Sequence, residues 1–198
     1  MRRLLLPLLG LVLAVSACTD LAGTSGGSYV TGDGQITVWP VAERGEPVTL
    51  TGDTLDGASY DSTTALGKPV VVNVWWSNCG PCRKEMPLIA SAAADLGDRA
   101  AFVGVNTRDN SAQNGIAFER SMGVEYPSIY SPDGKALLAI PKLPRSLPST
   151  VILDAEGRMA AAISGEIPTK LTLTALVECI ADGAATSSAR SPGSDAAS

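Results

Sequence analysis

Hydrophobic and polar positions divide the chain into four stretches of different texture. Leu4 to Val15 is an apolar block directly behind Arg2 and Arg3, and it ends in small residues. A bilayer-spanning helix needs about 20 apolar residues, so this shorter block predicts an export leader over residues 1–17 rather than a permanent span. Gly, Ser, Thr and Asp dominate residues 18–35, the composition of a flexible tether. Patterned sequence then runs over residues 36–182 and predicts one folded domain, and residues 183–198 return to Ala, Ser, Gly and Thr as a frayed tail.

Within the patterned stretch the periods alternate between strand and helix. A turn near Asp56-Gly57 predicts a hairpin around Val48 to Tyr60. The continuous apolar run from Lys68-Pro69 to Trp76 is the pattern of a central strand buried on both faces. From Cys82 the text turns helical through Met86, Leu88, Ile89, Ala92, Ala93 and Leu96, with Pro87 set to kink the helix. Ala101 to Asn106 reads as the next strand, followed by a helix to about Met122. Val151 to Leu153 is another strand ahead of a turn at Asp154-Ala155-Glu156-Gly157. Leu173, Leu176, Val177 and Ile180 form the apolar stripe of a C-terminal helix, and Cys179 borders it as a buried, inert thiol, with a regulatory or intermolecular disulfide as the alternative. Alternating strands and helices predict an α/β domain with a central sheet and helices on both faces.

Composition narrows the chemistry. The 198 residues are 45% apolar, enough for a single core. Net charge is −5, and −7 once Arg2 and Arg3 leave with the leader, which argues against nucleic acid as a partner. There is no histidine, so Ser-His-Asp and Cys-His hydrolysis, His-ligated zinc and His-ligated haem are excluded.

Candidate chemistry gathers at Cys79-Gly80-Pro81-Cys82, between the predicted central strand and the next helix. The first N–H groups of a helix lack internal partners and the dipole adds partial positive charge, so a thiolate at Cys79 is stabilised there. Cys79 would attack a disulfide and Cys82, one turn inward, would resolve the mixed disulfide. Two other readings stay open: half of a zinc site, although only Cys18 and Cys179 remain as further sulfur ligands, and a structural disulfide, although so short a loop gains little closure entropy. A peroxidase would need a Thr-x-x-Cys nucleophile, which does not precede these cysteines. No metal or organic cofactor is implied, because the dithiol is itself a redox centre.

Two resemblances add to this. Val15-Ser16-Ala17-Cys18 resembles the lipobox of bacterial lipoproteins, which implies cleavage before Cys18, a lipid on its sulfur and anchoring to the outer face of the bacterial cell membrane; plain secretion is the alternative. Gly67 to Trp75, the CGPC, Arg83-Lys84-Glu85-Met86-Pro87 and Tyr126 to Gly134 resemble the TlpA/ResA-like branch of the thioredoxin superfamily over roughly residues 45–182. The resemblance implies a thioredoxin-like fold with an N-terminal hairpin and a central insertion. It also implies thiol–disulfide exchange with exported proteins, in the reductive direction, apocytochrome c among the clients and a membrane thiol carrier as electron source; a disulfide-donating oxidase is the alternative. By the same resemblance Pro148 is a cis proline against the cysteines, and Leu147 pairs with a client strand. Gly80, Pro81, Trp76 and Asn78 surround the nucleophile, Asn78 standing where the family usually has Trp. Glu85 sits near the buried thiol and steers proton transfer, or else is an acid favoured by the first turn of its helix. Asn73 occupies a position where many thioredoxins carry a buried Asp, and it cannot take a proton.

Overall fold

A computed structural model describes residues 29–30 and 35–188, with side chains described from 35 to 183. The expected leader, Cys18 and most of the expected tether and tail lie outside the described residues. The described residues form nine strands: β1 Tyr29–Val30, β2 Ile36–Val38, β3 Thr51–Asp53, β4 Ser59–Asp61, β5 Val70–Trp75, β6 Ala101–Asn106, β7 Ser128–Tyr130, β8 Ser149–Leu153 and β9 Met159–Ser164. Three α-helices accompany them: α1 Gly80–Leu96, α2 Ala112–Met122 and α3 Lys170–Ser188. Seven strands form one sheet in the order β1-β2-β9-β8-β5-β6-β7, while β3 and β4 pair as the predicted hairpin. Two boundaries differ from expectation. Tyr29–Val30 of the tether pairs with β2, and α3 continues past residue 182 to Ser188.

β5 lies at the centre, parallel to β6 and antiparallel to β8, and all six of its residues are buried. Its alternation sorts two cores. Val71 packs with Ile89, Ala92 and Leu96 of α1 and with Leu173, Leu176, Val177 and Ile180 of α3. Val70, Val72 and Val74 face the other way, onto Val103, Val105, Val151, Leu50 and Trp39. Long helices therefore cover one face, and the second face, where helices are also expected, is closed by the N-terminal segment, the short 3-10 turn Lys135–Ala139 and Ile140. Pro87 lies inside α1, which nevertheless runs on to Leu96.

A buried ion network fastens the far end of the sheet. Arg44 Nη1 donates to Asp154 Oδ2 at 3.1 Å, and Arg158 Nη2 reaches the same oxygen at 2.9 Å. Burial alone would raise the Asp154 carboxyl, but the Arg158 backbone N–H and the two guanidinium groups hold it below the ordinary carboxylate range. Cys179 is half-buried beside the α3 stripe, more open than the fully buried position expected from the sequence, because its side chain projects at the stripe's margin.

Candidate active site

The chain leaves β5 at Trp75 and enters α1 at Gly80, and the linking residues are held by one buried carboxylate. Asp109, 3% exposed, accepts from the Ser77 backbone N–H at 3.0 Å, from Ser77 Oγ at 2.6 Å and from Asn106 Nδ2 at 2.6 Å. Tyr130 donates its hydroxyl to the Asp109 carbonyl at 3.1 Å. The loop carrying the first cysteine is thus tied to the ends of β6 and β7.

Cys79 is the N-cap of α1 and forms a disulfide with Cys82, their Cα atoms 5.2 Å apart. Its Sγ accepts from the Cys82 backbone N–H at 3.1 Å, one of the unpaired donors of the first turn. Gly80 and Pro81 are exposed on that turn, whereas Cys79 is 5% and Cys82 0% accessible. Arg83 and Lys84 place two cations on the same turn, Arg83 lying 5.0 Å above the Phe118 ring. Beneath the disulfide Trp75, Met86 and Phe118 form a small apolar cluster with Trp76 at its half-buried margin, and Asn78 is exposed.

Glu85 lies one turn further along α1 and is only 2% exposed. Asn73 Nδ2 donates to its Oε1 at 2.9 Å and the Ile167 backbone N–H donates to its Oε2 at 2.9 Å. Asn73 also donates to Thr150 Oγ1 at 3.0 Å, while its own Oδ1 is buried without a partner. Burial pushes the Glu85 carboxyl up to about 7; its two hydrogen bonds oppose the rise and the charge of Glu166 adds to it. An acid that far inside an apolar helix interface changes protonation near neutral pH.

Val74 of β5 pairs with Ser149 of β8, so the CxxC loop and Pro148 emerge at the same end of the sheet. The Leu147–Pro148 bond is cis, and Pro148 is buried. The Pro148 carbonyl accepts from Gly165 N–H at 3.0 Å, whereas Leu147 makes no backbone hydrogen bond among the described residues. Leu147 lines a cleft of about 380 Å³ that opens beside it.

Comparison with known proteins fits this geometry. Residues 40–178 match the family described as Redoxin. The chain belongs to that family. Among curated relatives of this Redoxin chain, thioredoxin-like protein YneN of Bacillus subtilis is 33% identical over 106 residues, covering 52% of this chain and 61% of that protein. Thiol-disulfide oxidoreductase ResA of the same organism is 28% identical over 113 residues, covering 56% of this chain and 60% of its own length. The chain therefore spans about three-fifths of the length of these relatives. A DsbF homologue from Corynebacterium diphtheriae superposes with a TM-score of 0.70 at 29% identity, over 78% of this chain and 99% of that one. A secreted thiol-disulfide isomerase from Corynebacterium glutamicum shares the fold, with a TM-score of 0.69 at 24% identity over 80% of this chain and 99% of that one. The fold is thioredoxin-like.

Two parts of this site carry little signal in the sequence. The Asp109 clamp was visible only as a polar residue just past a central strand, at the sheet end where α/β proteins place their sites. The Ile167 N–H that holds Glu85 carries no side-chain signal at all. No helix among the described residues is long and apolar enough to cross a membrane.

Proposed function

We propose that this protein is a thiol–disulfide oxidoreductase that reduces disulfides in exported proteins through Cys79 and Cys82. The observation that carries the reading is the asymmetry of the pair. Cys79 caps an exposed first turn with a donor aimed at its sulfur, and Cys82 is sealed beneath it. In the dithiol form the Cys79 thiolate attacks one sulfur of a client disulfide, forming a mixed disulfide and releasing the client's other sulfur as a thiolate, which takes a proton. Cys82 then gives up its proton and attacks Cys79 Sγ; the Cys79–Cys82 disulfide forms and the second client sulfur leaves as a thiolate. Two electrons pass from the protein dithiol to the client, and the protein ends oxidised.

Glu85, titrating near neutrality on the same side of α1 as Cys82, is the acceptor for the Cys82 proton. Leu147 offers its free backbone groups to an extended client segment beside cis Pro148. Gly80, Pro81, Trp76 and Asn78 form the remaining contact rim, with Asn78 giving a more polar surface than a Trp would. The leader and a lipid on Cys18 place the domain at the outer face of the cell membrane. There a membrane thiol carrier restores the dithiol, and clients include apocytochrome c and other exported proteins with oxidised cysteines.

The test is a trap. Cys82→Ser leaves Cys79 able to attack but removes the resolving sulfur, so clients should accumulate as mixed disulfides on Cys79, separable by diagonal non-reducing electrophoresis. Identified clients carrying disulfides that persist in cells without the protein establish the reductive direction. If no adduct accumulates while Cys79 remains alkylatable, exchange through this pair is refuted.

A further inference from the structure

The cleft beside Leu147 carries two unpaired cations on an acidic chain of net charge −5. Val74, Leu137, Leu143 and Leu147 give the cleft an apolar part, Thr107, Ser146 and Ser149 a polar one, and Arg108 and Arg145 stand at it as exposed side chains. Among the described residues neither guanidinium has an ion-pair or hydrogen-bond partner, whereas Arg44, Arg99 and Arg158 are each paired with a carboxylate. Asp133 is the acidic residue of the lining, and its carboxylate is occupied by Lys135, whose Nζ lies 2.9 Å from Oδ2 and whose backbone N–H donates to Oδ1 at 3.1 Å.

The position of Arg108 is fixed by backbone that a non-glycine residue seldom adopts. Its φ is +63°, in the left-handed region, two residues after β6, and its N–H donates to the Pro132 carbonyl at 3.2 Å. Left-handed backbone at an Arg is unfavourable and persists where surrounding structure holds it. Here Pro132 holds it on one side, and on the other the adjacent Asp109 is locked by Ser77 and Asn106. Arg108 thus stands two residues past the strand neighbouring the CxxC strand, and Arg145 two residues before Leu147. A client segment lying along Leu147 would run between them.

From this geometry we infer that the cleft selects acidic clients: it binds the residues flanking the client's reacting cysteine and prefers Asp or Glu there, paired with Arg108 and Arg145. The inference rests on the exchange reading above and adds the substrate class to it. The apolar part would take the stem of the flanking side chain and desolvate the guanidinium–carboxylate pair, which strengthens it relative to open solvent.

The experiment uses the reduced full chain and three peptides, each closed by one internal disulfide and differing only in two residues outside the ring beside one cysteine: Glu, Gln or Lys. Second-order rates of peptide reduction are followed by acid quench and mass spectrometry. Two partly exposed ion pairs should favour the Glu peptide over the Gln peptide by about fivefold at low salt, and the ratio should fall toward one in 0.5 M salt, where the screening length is only a few ångströms. R108Q/R145Q should bring that ratio to one at low salt, and R145E should shift preference toward the Lys peptide, an inversion that loss of folding cannot imitate. Equal rates for all three peptides on the wild-type chain, or a Glu preference that survives R108Q/R145Q, would overturn the inference while leaving exchange standing. Failure to reduce any of the peptides would overturn both.

Discussion

Replacing Glu85 by Gln tests the electrostatics of the buried site directly, because it removes the ionisable group while leaving an amide of the same shape. The side chain is 2% exposed and its carboxyl is raised from 4.5 to about 7, with burial as the main cause. Below pH 4.5 the acid is protonated in both folded and unfolded chains and contributes nothing to the difference. As the pH rises the unfolded chain releases the proton first, so folded stability falls until Glu85 ionises near 7 and then levels off. At 1.36 kcal/mol per pH unit, a rise of that size corresponds to about 3 kcal/mol of stability lost by the wild type across the interval. Glu85→Gln carries no such loss. Its amide has one oxygen for the Ile167 N–H, and the Asn73 amide can rotate to turn its unpartnered Oδ1 toward the new NH₂. Urea unfolding of the oxidised proteins at intervals from pH 4 to 8.5 should show the variant gaining on the wild type by about 3 kcal/mol, with most of the change between pH 5 and 7. Parallel stability curves would show that Glu85 does not titrate near neutrality, and its role as proton acceptor would fall with them.

Two further substitutions probe the supports of the site and of the sheet. Asp109→Ala leaves the Ser77 N–H and Asn106 Nδ2 buried without their acceptor, at about 1–3 kcal/mol each, and frees the loop ahead of Cys79. A lowered denaturation midpoint together with altered alkylation kinetics of reduced Cys79 is expected; unchanged alkylation would mean that the clamp does not position the sulfur. Arg44→Met strips one of two cations from fully buried Asp154, and since Arg158 remains, a loss of about 2–3 kcal/mol is expected, measurable by thermal unfolding. The wild-type contribution of Asp154 is present above its unfolded pKa and disappears as pH falls through the lower folded value, so the gap between wild type and Arg44→Met should narrow in acid.

Periodicity alone located β5, β6, α1, α2 and the α3 stripe, because a strand or helix that buries a face must repeat apolar residues at the spacing of its backbone. The CxxC at a strand-to-helix junction was equally legible, since the chemistry of an N-terminal thiolate depends on local geometry that four consecutive residues define. Resemblance to a family, rather than any pattern in the residues, supplied the cis geometry at Pro148, which adjacent sequence does not encode. Long-range partners were invisible. Glu85 meets Asn73 across a helix–sheet interface and Ile167 from another loop, and only that enclosure turns an ordinary glutamate into one that titrates near 7. Asp109 and Arg108 are neighbours in sequence with opposite fates, one buried under Ser77 and the other held out at a cleft. Which elements form and where the sulfurs sit can be read along the chain, because both follow from local propensity and apolar spacing. Tertiary structure alone decided which charges are desolvated and which are left free, because both depend on what distant segments bring to the same place.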